Sequence, residues 1–275
     1  GAVYYLVRPK DPTKLWTPVK LHAEPTVHRM RWIKAEHAVS GVRGDSYHLV
    51  VVPLHGRGNK NGEGDGVKVI AYEMPKDPTQ KWKYYNVDQS MHLTHNFDVV
   101  DMGSVGESIH IGGKEGVQAF RFVSNKWDHV GQGLWIKNRS FGELRMVKTE
   151  GAGVLAGITP MHGNELAIHD NITKVVLTDD LNQGHALAAS DLLGLGRDQI
   201  IVGWREPNKE SKVGIKIFVS DISGTITWKG YWIDDNGMAC EDLQIADLDG
   251  DGKKDIIASG RATHNLKIYW NKNSQ

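Results

Sequence analysis

Val3 to Trp16 reads VYYLVRPKDPTKLW, and Val69 to Trp82 reads VIAYEMPKDPTQKW. Each begins with an alternating aromatic and aliphatic run, passes through Pro-Lys-Asp-Pro-Thr, and reaches a Trp after two further residues. Alternation with period two is the pattern of a half-buried strand, and the paired prolines deny ladder hydrogen bonds to the connection. The Trp then opens the next strand, so the same hairpin is written twice. Weaker copies end at Trp127 (VQAFRFVSNKW) and Trp228 (VGIKIFVSDISGTITW). Trp16, Trp82, Trp127 and Trp228 therefore mark one position of a repeat and read as packing residues.

Between these hairpins, a polar residue opens an apolar run five times: His28 (HRMRWIK), His95 (HNFDVVD), Glu143 (ELRMVKT), His185 (HALAASD) and Glu241 (EDLQIAD). The gaps of 67, 48, 42 and 56 residues centre on the length of a four-stranded propeller blade. The long first gap holds two glycine-bearing stretches, 36–46 and 56–66, which read as loops. No window sustains a helical apolar period. The expected fold is all-β, a β-propeller of four-stranded antiparallel blades in one domain over residues 1–275, with blades opening near 28, 95, 143, 185 and 241. The N-terminal piece supplies what look like third and fourth strands, and the C-terminal piece first, second and third. That count predicts six or seven blades in the native ring, with either a missing N-terminal segment or Val3 to Val7 pairing with Leu266 to Trp270.

Of 275 residues, 33 are basic and 33 acidic, so bulk attraction to nucleic acid or an anionic membrane is not expected. No apolar stretch is long enough for a membrane span, and no signal-peptide pattern opens the chain. Cys240, the single cysteine, rules out an internal disulfide and does not read as a nucleophile.

Asp247-Leu-Asp249-Gly-Asp251-Gly-Lys253-Lys-Asp255 carries carboxylates at relative positions 1, 3, 5 and 9. Ca²⁺ takes six to eight oxygens, and this spacing can wrap three side chains and the Lys253 carbonyl round one ion, with Asp255 closing the shell. An uncompensated acidic turn is the competing reading. Asp101 and Asp191 hold the first position in other blades without the carboxylate series.

The string DLDGDGKKDIIASG resembles the repeat of FG-GAP or VCBS propellers. HRMRW, VVPLHGRG, PKDPTQKW, MHLTHNFDVVD and GRATHNLKIYWN together resemble, more narrowly, the propeller domains of the aldos-2-ulose dehydratase group. That resemblance spans most of the chain and implies action on sugars, with elimination of water from a keto sugar and zinc involved. The given residues leave no room for the two cupin domains of that enzyme.

The residues themselves point the same way. First strands of propeller blades line one channel, so the five openings converge on one rim, and the ends of the second strands return to that face. Those ends hold His55 and Arg57, Lys114, His162, Trp204 and Arg205, and Arg261. Imidazoles and a carboxylate suit Zn²⁺ or another divalent metal, and arginines suit a carboxylate or hydroxyl-rich ligand. His28, His55, His95 and His185 are the candidate catalytic residues, and His95, His185, Glu143 and Glu241 the candidate transition-metal ligands. Arg57, His162, Trp204, Arg205 and Arg261 are candidates for substrate binding, Trp204 by stacking on a sugar ring. The competing use of such positions is hydrogen bonding to backbone across blade junctions. His92 and His264 lie near the face without an assigned role. His22, His37, His48, His110, His129 and His169 lack repeat-equivalent support and read as surface or strand residues.

The expected function is a metal-dependent carbohydrate lyase or dehydratase working by β-elimination. The alternative is a non-catalytic propeller that binds glycan or protein through the same face. Sequons at Asn138 and Asn171, with a calcium loop, suggest an extracellular or periplasmic location.

Overall fold

The computed structural model describes residues 1–22, 24–39, 42–131, 135–150, 153–169, 173–221 and 227–272. The Asn171 sequon lies outside these residues. The chain is all-β, a β-propeller of five blades, and its contacts divide it into two compact units, Gly1–Asn138 and Arg139–Gln275. No helix is long and apolar enough to cross a membrane among the described residues.

In the first unit, β1 (Tyr4–Val7) and β2 (Thr17–Lys20) form a hairpin of their own. Blade 1 follows as β3 (Val27–Val39), β4 (Val42–Pro53), β5 (Val69–Glu73) and β6 (Lys83–Asp88), hydrogen-bonded in chain order. Blade 2 is β7 (Thr94–Asp101), β8 (Glu107–Gly113), β9 (Gly116–Val123) and β10 (Lys126–His129), with the short β11 (Ile136–Lys137) also pairing β9.

The second unit holds three blades. Blade 3 is β12 (Glu143–Val147), β13 (Val154–Thr159), β14 (Glu165–His169) and β15 (Lys174–Thr178). Blade 4 is β16 (Gly184–Ser190), β17 (Gln199–Trp204), β18 (Gly214–Ser220) and β19 (Trp228–Asp235). Blade 5 has three strands, β20 (Cys240–Ala246), β21 (Asp255–Gly260) and β22 (Asn265–Tyr269).

Two sequence expectations are corrected here. The described residues form five blades, the strands counted as an extra half blade pair with each other, and β1 meets β2 rather than 266–270. Residues 36–39 and 42–46 are strand rather than loop: β3 and β4 stay in register from Ile33↔His48 out to Val39↔Val42, a long two-stranded ribbon.

The duplicated hairpin has duplicated loop chemistry. Asp11 Oδ1 accepts from the Thr13 N–H at 3.0 Å and its hydroxyl at 2.8 Å, and Asp77 Oδ1 does the same for Thr79 at 3.0 and 2.7 Å. The Trp16 and Trp82 indoles donate to the Pro12 and Pro78 carbonyls. The short side chain of Asp bonding two residues ahead is what closes such a turn.

Blades are held together by apolar side chains on both faces. Val50 and Val52 of β4 face a cluster with Phe97, Ile109, Phe120 and Trp127 of blade 2, while Leu49 and Val51 face Val3, Leu21 and Trp82. In the second unit, Ile200 and Val202 of β17 face Ala156 and Leu166 of blade 3, and Ile201 faces Cys240 and Leu243 of blade 5. Burial on both faces turns the alternation of these central strands into the continuous runs LVVV and IIV. Each such side chain contributes about 1.5–3 kcal/mol by leaving water. Gly203 is required where blades 4 and 5 meet, since a Cβ there would lie 2.6 Å from Cys240 Sγ. Trp82, Trp127 and Trp228 pack as the repeat implies, but Trp16 is exposed.

Candidate functional site

The five openings expected from sequence begin the first strands of the five blades, each within a residue of the strand start. Four of them share a further feature. The β3/β4 register skips His28, the β7/β8 register skips His95 and Asn96, the β16/β17 register skips His185, and the β20/β21 register skips Glu241. Each is a β-bulge, which re-aims a side chain and frees a backbone carbonyl from the ladder. Glu143 is the exception: it pairs regularly with Ile158 and is 1% exposed, with the Arg145 guanidinium 3.9 Å away.

In the first unit, the His28 Nδ1–H donates to the bulge carbonyl of His95 at 2.9 Å, and the two rings lie 4.7 Å apart. His95 is buried and His28 exposed. His55 exchanges hydrogen bonds with Thr26, whose hydroxyl donates to the His55 carbonyl at 2.9 Å and accepts its N–H at 3.0 Å; the His55 Nδ1 is buried with no hydrogen-bond partner among the described residues. Arg57 is exposed and occupied by the buried Glu24 carboxylate at 3.1 Å, which also meets Lys68 and His22. Burial raises the pKa of Glu24, but hydrogen bonds from His22 and Arg57 and the Lys68 and Arg57 charges outweigh it and hold the carboxyl below its usual range. Glu24 had no sequence signal, since it belongs to no repeat position. His92 Nδ1 meets Glu115 at 2.8 Å.

The second unit gathers more. The His185 Nδ1–H donates to the Glu241 carbonyl at 2.6 Å, repeating the His28 bond at the next-blade bulge. Its Nε2 faces Glu241 Oε1 at 3.9 Å. The His162 ring is centred 5.0 Å from that of His185, and a ring nitrogen of each lies within 4.8 Å of the other. His162 sits in the β13–β14 turn at φ 53°, a left-handed conformation that sequence spacing does not reveal. Buried Arg205 donates to Gln183 Oε1 at 2.6 Å and to both Glu241 carboxylate oxygens at 3.5 Å. Gln183, also at positive φ, was not foreseen. Arg261 is exposed, its backbone N–H bonded to Ala239.

Trp204 is a correction. Its ring is fully buried against Phe218 and Leu166, with the indole N–H donating to Lys212 at 2.9 Å, so it has no face for a sugar. It ends a strand whose outer side the next strand covers. Cys240 is buried, and burial together with Asp242, Glu241 and Asp234 pushes its thiol far up, which makes it unreactive.

In the acidic loop, Asp247, Asp249 and Asp255 bring carboxylate oxygens within 4.8 Å of one another, and Asp251 stands outside that group. The acidity is not uncompensated, as the sequence suggested. Lys272 Nζ reaches Asp249 at 2.7 Å, and the backbone N–H groups of Leu248, Gly250, Gly252 and Lys253 donate to the Asp side chains. Lys253 Nζ is 3.9 Å from Asp251. The corresponding loop of blade 4, DLLGLGRDQ from Asp191, has the same form without carboxylates at the positions of Asp249, Asp251 and Asp255. Asp191 accepts from Leu195 and Gly196, Gln199 accepts from Leu192 and Leu193, and Gly194 and Gly196 take φ 69° and 75° where Gly250 and Gly252 take 76° and 83°. The loop conformation therefore does not need a cation, whereas the converged carboxylates of blade 5 offer one a site.

Comparison with protein-family models gives no match to this chain, and comparison with curated proteins gives none either.

Proposed function

We propose that the protein is a metal-dependent carbohydrate lyase or dehydratase of the FG-GAP/VCBS propeller type, most like the aldos-2-ulose dehydratase propellers. The observation that carries this is the His162–His185 pair beside Glu241 and Arg205. A bulge carbonyl accepts from His185 Nδ1–H, which orients the ring so that Nε2 faces Glu241. Metal-binding histidines are fixed in this way, by a second-shell carbonyl on the other nitrogen. The backbone bond thus serves ligation as well as blade packing.

His162, His185 and Glu241 would hold Zn²⁺ or a similar ion, with His28 and His95 as the first unit's candidates. An ion held there would polarise the substrate oxygen that gains charge as the α-proton leaves. Arg205, already aimed by Gln183, would grip that sugar's carboxylate or carbonyl oxygen. The α-proton would pass to an imidazole that is not a ligand of the ion, and the imidazolium so formed would return it to the departing oxygen. Ca²⁺ at Asp247, Asp249 and Asp255 would brace blade 5, and the location expected is extracellular or periplasmic.

Metal analysis of the purified protein, with keto sugars and uronate glycans assayed for an ultraviolet-absorbing product, tests this. A bound transition metal and a product lost on chelation are expected. Glycan binding with neither would favour the non-catalytic propeller.

A further inference from the structure

A second cluster in the second unit stands apart from the residues used above. A cavity of about 290 Å³ is lined by Arg139, Ser140, Thr159, Glu165, His169 and Lys174. It is close to the size that small ligands occupy, from roughly 300 Å³ upward, and most of its lining residues carry polar groups.

The charges inside are unequal. Lys174 Nζ is matched by Glu165 Oε2 at 2.7 Å, and the Thr159 hydroxyl donates to Glu165 Oε1 at 2.6 Å. Arg139 has no carboxylate among the described residues. Its Nη1 donates to His169 Nδ1 at 3.0 Å and, at 3.5 Å, to the Thr173 carbonyl. His169 is 1% exposed and packs edge-on against Phe141. Since its Nδ1 accepts, His169 is neutral, and it fixes the guanidinium without cancelling its charge. Among the described residues the cavity thus has two cations to one carboxylate, and an arginine held in place with donors to spare. Hydroxyls of Ser140 and Thr159 and the Asn164 amide surround it.

We propose that this cavity binds the carboxylate-bearing ring of a uronic acid, Arg139 taking the carboxylate and the hydroxyl and amide groups the ring hydroxyls. The choice of a sugar acid rests on the proposed function; the preference for an anion rests on the cavity alone. Pro160 of the cavity wall and His162 of the other cluster belong to one turn, Thr159–Glu165, so one acidic oligosaccharide chain could engage both.

The test is calorimetric titration of the whole protein with glucuronate, glucose and acetate in the presence of a chelator, which removes any contribution from a metal-dependent site. Glucuronate should bind, glucose and acetate much more weakly. Arg139→Gln should weaken glucuronate about tenfold or more, the worth of one charge-assisted contact. Ser140→Asp, which leaves the Arg139–His169 contact in place and adds an opposing charge, should do the same. Circular dichroism melts would show that both variants fold. Equal binding of the three probes, or glucuronate affinity unchanged in both variants, would overturn the proposal. Loss of product formation with glucuronate binding intact would instead overturn the lyase reading alone.

Discussion

The His185 imidazole donates its Nδ1–H to the main-chain carbonyl of Glu241 across 2.6 Å, and Glu241 is the bulged residue that opens the next blade. His28 makes the same bond to His95, the bulge of its own neighbouring blade, at 2.9 Å. A bulge leaves a carbonyl without a ladder partner, and an imidazole from the preceding blade supplies one. His28→Ala and His185→Ala should each cost about 1–3 kcal/mol in denaturant unfolding, the penalty of an orphaned acceptor. His185→Ala should also abolish retention of a transition metal by the second unit's site; metal retained at the wild-type level would remove His185 from the proposed site.

Calcium should stabilise the wild-type protein and not a variant with Asp247 and Asp249 both changed to Asn. At a hundred times its dissociation constant, a bound ion adds about 2.7 kcal/mol, read as a rise in melting temperature. Asp191→Asn should leave the calcium response intact, since its loop lacks the other carboxylates. No shift in the wild type would leave the acidic loop as a self-satisfied turn like that of blade 4.

Asp234 should make stability depend on acid. Burial raises its pKa, but Lys267 at 2.7 Å, Tyr269 at 2.6 Å and the Gly237 N–H outweigh this and hold the carboxyl below its ordinary value. A depressed carboxylate pKa contributes stability above the unfolded pKa of about 4, lost as pH falls through the folded value. Asp234→Asn should be less stable by roughly 2–3 kcal/mol at neutral pH, the cost of breaking a charged hydrogen-bonded set. That gap should narrow below about pH 4; a gap independent of pH would show that the charge is not what matters.

Trp204→Phe should lower stability by about 1–3 kcal/mol through the lost indole bond and the space left in a packed cluster. Glycan affinity of the folded variant should not change. A selective loss of affinity at unaltered stability would restore Trp204 to the ligand face.

Cys240 should resist alkylation in the native protein and react on unfolding, because burial both covers the thiol and raises its pKa. Fast native labelling would contradict the packing of blades 4 and 5.

What the sequence by itself determined was everything carried by local periodicity and turn chemistry. The two-residue alternation, the duplicated Asp-Pro-Thr loops and the recurring Trp define strands and hairpins, because backbone pleat and short side-chain bonds act over a few residues. His28, His95, Glu143, His185 and Glu241 could be aligned for the same reason, each opening one apolar strand. Tertiary structure alone decided which of them are bulged. Glu143 looks equivalent in sequence, yet lies in a regular ladder beside Arg145. It alone put His162 beside His185 through a left-handed turn, aimed Arg205 with Gln183, and buried Trp204. The same holds for the β3–β4 ribbon, whose pairing depends on register across two strands rather than on its loop-like composition. Contacts between blades join residues dozens of positions apart, and no short window of sequence records which of two faces a neighbouring blade will cover.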